Sequence, residues 1–166
     1  WPYLPPELAY VGIEPDPYML RRARKRDAAM GRELTLKQAR AEQLPFEDES
    51  FDTVLVPLTL CTVEDPVRAL TEARRVMKPG GSLVFAEHVR PQGRLAGRLF
   101  GVLTPLWRRV GAGCHPNRRT EQTILAAGLQ IEAVERQRVN GLPMIAGTAS
   151  KNCGARQAKG VNDGID

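Results

Sequence analysis

"YVGIEPDP", Tyr10–Pro17, is the stretch whose reading decides how this chain of 166 residues folds. Apolar residues run as far as Ile13 and end on an acid, Glu14, in the manner of a strand leaving a sheet. Asp16 is then a natural N-cap, and Pro17 falls at the first helical position, where its missing N–H costs nothing. The spacing predicts a helix from Pro17 to about Met30, closed by Gly31. "ELTLKQAR" (33–40) alternates Leu34 and Leu36 with polar neighbours, as a short strand does, and "AEQLPFEDES" (41–50) reads as a loop.

The pattern repeats further on. "FDTVLVPLTL" (51–60) is a near-continuous apolar run rich in β-branched residues, which predicts a strand buried on both faces of a parallel sheet. Asp65-Pro66 is a second cap-plus-proline start, and Val67, Leu70, Ala73 and Met77 recur as one buried helical stripe. "KPGG" (78–81) stops that helix, and "SLVFAEHV" (82–89) supplies another apolar strand. Strand and helix in alternation point to an α/β fold with a right-handed, mainly parallel sheet. "RLAGRLFGVLTPLWRRV" (94–110) reads as a partly amphipathic helix broken by Gly101 and Pro105. A short helix from Thr120 to Ala127, closed by Gly128, precedes "LQIEAVERQRV" and "PMIAGTASK", a C-terminal antiparallel hairpin. Residues 1–151 form one domain in this reading; 152–166, poor in large apolar residues, form a disordered tail.

Composition narrows the class of partner. Apolar content of 42% with 26% charged residues is ordinary for a globular protein. No apolar run reaches the ~18 residues of a membrane span, and "WPYLPPELAY" lacks the features of a signal peptide, so a soluble cytoplasmic protein is expected. The net charge of +5 comes partly from "RRARKR" (21–26). On a helix those side chains spread over the solvent face, and without interleaved aromatics or a reader motif no nucleic-acid partner is expected. Cys61, Cys114 and Cys153 are odd in number and scattered, which suits free thiols. The spacing of Cys61, His88, Cys114 and His115 matches no compact zinc pattern, so no metal is expected.

In open α/β sheets ligands bind beyond the carboxyl ends of the strands. Glu14 stands at such an end, where a carboxylate can accept both hydroxyls of a ribose; the alternative is that it caps the following helix or is simply solvated. Its company favours the first. "VGIEPDP", "ARAEQLPFEDESFDTVLV" and "TEARRVMKPGGSLVFAEHV", in that order, resemble the class I S-adenosylmethionine-dependent methyltransferases. "EHV" followed by "LTPLWRRVGAGCHPNRRT" resembles more narrowly the methyltransferase-like subfamily that includes thiol S-methyltransferases. The resemblance runs from Tyr3 to Lys151 and implies a Rossmann-like methyltransferase fold with S-adenosylmethionine as cofactor. It implies that Glu14 holds the ribose, with Pro15 and Met19 beside the adenosine. Ala41 and Glu42 match the place where the family contacts adenine, and Val56, Pro57 and Leu58 match the place of the methionine part and the methyl group.

Three departures accompany the resemblance. Arg40 stands where the family usually has Asp, and Pro57 replaces a residue that is often polar and has no N–H to donate. The family's first strand and glycine-rich turn have no counterpart here. That strand is the central one of the family's sheet, so the strands before and after it are expected to lack a partner between them. A truncated methyltransferase with impaired activity is the resulting expectation.

The reaction this implies is methyl transfer to a small thiol or other small or amphipathic acceptor. Alignment in a dry pocket is the main requirement, with His88 or His115 as the base that raises the thiolate fraction. The segment from Arg94 to Val110 is open to three readings: core packing as the default, part of the acceptor pocket, or peripheral membrane contact. Two other functions stay open. One is a non-catalytic remnant that binds a protein through an exposed sheet edge. The other is an NAD-dependent oxidoreductase, since an acid ending a strand suits that cofactor too.

Overall fold

The computed structural model describes residues 5, 7–31, 34–111 and 113–151; the expected tail, 152–166, lies outside them. The elements in chain order are β1 (Val11–Ile13), α1 (Pro17–Ala29), β2 (Thr35–Lys37), β3 (Phe51–Pro57) and α2 (Pro66–Val76). They continue with β4 (Met77–His88), α3 (Arg94–Val110), α4 (Thr120–Ala126), β5 (Leu129–Val139) and β6 (Leu142–Lys151). Both cap-plus-proline starts form as the sequence indicates. The Asp16 carboxylate accepts the N–H of Met19 at 2.8 Å, and that of Asp65 accepts the N–H of Arg68 at 3.0 Å. Gly31 closes α1 at φ +64, a conformation glycine adopts without strain.

The fold is mixed α/β, and its strands fall into two sheets. β1 pairs in parallel with β2, forming one sheet of two strands; β3, β4, β6 and β5 form the other in that order. β3 and β4 are parallel, whereas β6 runs antiparallel to both β4 and β5. The division falls between β1 and β3, where the sequence reading left a strand without a counterpart. Among the described residues each of these two strands is paired along one edge only. The C-terminal hairpin turns on Asn140-Gly141, both at positive φ, the backbone a two-residue turn needs to match strand twist.

The core lies on one face of the larger sheet. Leu70 and Ala73 of α2 pack with Leu83 and Phe85 of β4, Ile124 of α4, and Ile145 and Ala149 of β6. The α2 stripe differs from expectation at its first position. Val67 is exposed, and the buried face runs through Ala69, Leu70, Ala73 and Val76. β3 is likewise not buried on both faces. Leu55 is 46% exposed, as is its register partner Val84 at 37%, because α2 and α4 pack on the opposite face, that of Leu83 and Phe85. "KPGG" does not separate helix from strand; it forms a bulged start to β4, with the register shifting between Phe51 and Thr53.

α3 departs from expectation in two ways. It is continuous through Gly101 and Pro105. Pro105 has no N–H to donate to the Gly101 carbonyl four positions back, and in the same turn the Thr104 hydroxyl donates to the Phe100 carbonyl at 2.6 Å. Nor is α3 a core helix, since Leu95, Leu99, Val102, Leu103 and Leu106 are all exposed. Among the described residues no helix is long and apolar enough to cross a membrane.

Candidate functional site

The carboxyl end of β3 carries a backbone irregularity. Leu58 adopts φ +51, uncommon for a residue with a branched side chain, while its N–H donates to the Ala86 carbonyl at 2.8 Å. The chain then turns tightly, with the N–H groups of Thr62 and Val63 both donating to the Thr59 carbonyl. Two charged side chains hold this turn. Glu87, wholly buried in β4, accepts the N–H groups of Thr59 and Leu60 on one oxygen and that of Cys61 on the other. Arg118 donates to the carbonyls of Leu60 and Val63. Burial raises the Glu87 carboxyl above its ordinary range, opposed by the backbone N–H groups it accepts.

Around that turn the fold gathers residues far apart in sequence. Cys61 is 1% exposed and Cys114 6%. The Cys114 Sγ lies 3.7 Å from the Nδ1 of His88, and the ligating atoms of Cys61, His88 and Cys114 all lie within 4.8 Å of one another. His115 docks on the same turn: its backbone N–H donates to the Cys61 carbonyl at 2.7 Å, and its Nδ1 lies 3.1 Å from that oxygen. A carbonyl only accepts, so Nδ1 carries the hydrogen. Burial, then the nearby Glu87 carboxylate, pushes the Cys61 thiol well up. Spacing in the chain gave no hint of this grouping, because the sheet order creates it. The one available signal was an acid, Glu87, inside an apolar strand.

The other candidate residues lie at the carboxyl ends of β1, β2 and β3. Glu14 follows β1 and is half-buried; its N–H donates to the Lys37 carbonyl, and its Oε1 accepts the Asp16 N–H at 2.9 Å. One carboxylate oxygen is therefore engaged in the turn into α1, and Oε2 has no hydrogen bond among the described residues. Met19 and Pro15 are exposed beside it. Ala41 packs against the core, while Glu42 is engaged locally: its Oε1 accepts the Glu64 N–H at 3.0 Å. Arg40 forms ion pairs with Glu42 at 3.6 Å and Glu64 at 3.0 Å. These residues line a cavity of about 230 Å³ with Gln43, Asp65 and Arg68. Val56 is buried, and Pro57 and Leu58 are exposed. No register pairing joins the Glu14 turn to Val56–Leu58, because β1 and β3 belong to different sheets. A larger cavity, about 760 Å³, opens beyond the end of β4 and is lined by Val89, Arg90, Arg94, Arg118, Arg138 and Met144 among others. Glu14 lines neither cavity.

Parallel β2-β1 and β3-β4 units with an antiparallel β6-β5 end, and candidate ligand residues at the strands' carboxyl ends, define a Rossmann-like methyltransferase fold. The chain belongs to the methyltransferase domain family, class I and S-adenosylmethionine-dependent, whose profile matches residues 3–85, half of the sequence. It is 47% identical over 78 residues to thiol S-methyltransferase TMT1B of Rattus norvegicus, a match covering 46% of this chain and 32% of that protein. It is 33% identical over 142 residues to the Homo sapiens protein of the same name, covering 81% and 57%. The chain thus spans between a third and somewhat over half of these curated relatives. A solved structure of a SAM-dependent methyltransferase from Methanosarcina mazei superposes with a TM-score of 0.68 at 20% identity, over 85% of this chain and 81% of that one.

The family's methyl donor is S-adenosylmethionine. Toward the nucleoside half of that donor the chain offers the Glu14 Oε2 at a strand end and the exposed Met19 side chain in the first turn of α1.

Proposed function

We propose that the protein transfers a methyl group from S-adenosylmethionine to a small thiol. The observation that carries this reading is the 33% identity to human TMT1B, because it extends over 81% of the chain, well past the profile match that ends at residue 85. In this reading Glu14 accepts the ribose hydroxyls through Oε2, with Pro15 and Met19 beside the adenosine. Ala41 and Glu42 border the adenine, and Val56, Pro57 and Leu58 border the methionine part. When bound, the cofactor supplies an electrophilic methyl on a sulfonium. The chain's own task is to align the acceptor and keep water out. The large cavity beyond β4 is the candidate acceptor site, since Val89, the residue after His88, and Met144, the register partner of His88, line it. His88, or His115 through its Nε2, takes the thiol proton.

The unpaired edges of β1 and β3 belong to this reading. A further strand seated between them would join the two sheets, and the active form is the one in which those edges are paired. The exposed apolar side chains of α3 favour peripheral membrane contact of this face over core packing; flotation with anionic lipid vesicles tests it, and a chain that stays unbound refutes it. The principal experiment is calorimetric titration with S-adenosylmethionine and with NAD, followed by mass detection of methylated alkyl thiols. Methylated product supports the proposal. Binding of NAD instead, or cofactor binding with no thiol methylated, overturns it.

A further inference from the structure

We infer that Cys61, His88 and Cys114 form a binding site for one zinc ion. The geometry comes first. In a tetrahedral zinc site, bonds of about 2.3 Å to sulfur and about 2.0 Å to nitrogen set a thiolate and an imidazole nitrogen roughly 3.6 Å apart. The Cys114 Sγ and His88 Nδ1 are 3.7 Å apart, and no pair of the ligating atoms exceeds 4.8 Å. Two sulfurs on one tetrahedral zinc lie roughly 3.8 Å apart, so closing the triangle on a single ion shortens no separation by more than about 1 Å. Its donors are those zinc takes in proteins, two sulfurs and an imidazole.

Each ligand stands on a separately anchored piece of backbone. Cys61 is held by its N–H on Glu87 and by its carbonyl, which receives the N–H of His115. His88 closes β4, in register with Met144 of β6. Cys114 donates its N–H to the Gly111 carbonyl in the turn that ends α3. Such independent anchoring holds ligands near a productive geometry before an ion arrives. Two packed thiols alone would not need an imidazole aimed at one of them.

Charge supports the same ion. Two thiolates cancel the charge of Zn²⁺, and a neutral complex is what a site with cysteines 1% and 6% exposed can hold. The fourth position is not filled by Glu87, whose two oxygens are both engaged by backbone N–H groups. It is not filled by the Nδ1 of His115, which carries a hydrogen toward the Cys61 carbonyl. A water or another added donor completes the set. With zinc bound, His88 is a ligand and no longer a proton acceptor.

The test uses the full chain, reduced, stripped with a chelator and then titrated with Co²⁺ and Zn²⁺. One ion per chain is expected, with a thiolate-to-cobalt charge-transfer band and the visible bands of tetrahedral cobalt, all abolished by stoichiometric zinc. C61S, C114S and H88Q should each weaken binding by at least the roughly 10-fold to 100-fold that loss of an outer-sphere support costs. X-ray absorption of the zinc-loaded wild-type chain should show two sulfurs at about 2.3 Å, a readout that survives if a serine variant fails to fold. The inference is overturned if no ion is retained, if a C61S/C114S variant keeps the cobalt band, or if the absorption spectrum shows no sulfur around zinc.

Discussion

The Oε2 of Glu87 accepts the backbone N–H of Cys61 at 2.9 Å, from a carboxylate that is wholly buried in β4. An acid so placed serves the turn after β3: its other oxygen takes the N–H groups of Thr59 and Leu60, both at 2.7 Å. Three backbone donors that would otherwise be stranded at the end of a strand are satisfied by one side chain.

Glu87→Gln should therefore be costly although it is nearly isosteric. Glutamine keeps one acceptor oxygen and turns an NH2 group toward a backbone N–H, donor against donor. Leaving a buried donor unmet costs about 1–3 kcal/mol. Urea unfolding of the variant should show a lower midpoint with an unchanged slope; an unchanged midpoint would mean that the turn is held without Glu87.

Glycine positions offer a matched pair. At Gly147 of β6 a Cβ would run into the Ala133 carbonyl, brought close by the β5 bulge, and lie 2.9 Å from the Phe85 ring. Gly147→Ala should lose about 1–3 kcal/mol through overpacking. Gly101 in α3 has nothing within 4 Å of the corresponding position. Gly101→Ala should gain about 0.5–1 kcal/mol from helix propensity. Thermal melts that move both variants in the same direction would contradict the packing described.

Local signals were the legible part of this fold. Asp16-Pro17 and Asp65-Pro66 announce two helices because a cap and a proline act within one turn, independent of what the helix packs on. The alternation of Leu83, Phe85 and Glu87 likewise declares one face of β4. What the sequence hid depends on neighbours supplied by the fold. Val67 looks like a core position until α2 turns its other face to β4, and Leu55 looks buried until every packing helix lies on the far side. Of the candidate site, the strand-end position of Glu14 was legible, and so was the alternative that its carboxylate serves the start of α1; that one oxygen does so, on the Asp16 N–H, while the other stays available was not. The proximity of Cys61, His88 and Cys114 arises only when β3, β4 and the turn after α3 are assembled.

The Arg75 guanidinium beside Glu72 gives stability a definite dependence on acid. Arg75 donates to both oxygens of Glu72 at 2.8 Å and to the Phe46 and Leu44 carbonyls, pinning the 41–50 loop to α2. Its hydrogen bonds hold the Glu72 carboxyl below the usual range, opposed by partial burial. A carboxyl whose pKa is lower folded than unfolded contributes stability above its unfolded value, about 4.3, and loses it as pH falls through the folded value. Stability measured by urea unfolding should thus decline below that point, and Glu72→Gln should remove part of the decline while lowering stability at neutral pH. An identical acid limb in the variant would refute the coupling.

The exposed face of α3 should contribute little to the fold despite its apolar character. Leu95 and Val102 are 82% and 77% exposed, so replacing either by Gln removes almost no buried area, and the expected change lies within about 0.5 kcal/mol. Leu70 is the contrast: fully buried between α2 and β4, it should cost about 2–5 kcal/mol when cut to Ala, since a cavity remains where its side chain stood. Differential scanning calorimetry of the three variants separates the cases. A Leu95→Gln or Val102→Gln chain that melts as early as Leu70→Ala would place α3 against a partner surface in solution, and the exposure described for its apolar side chains would have to be abandoned.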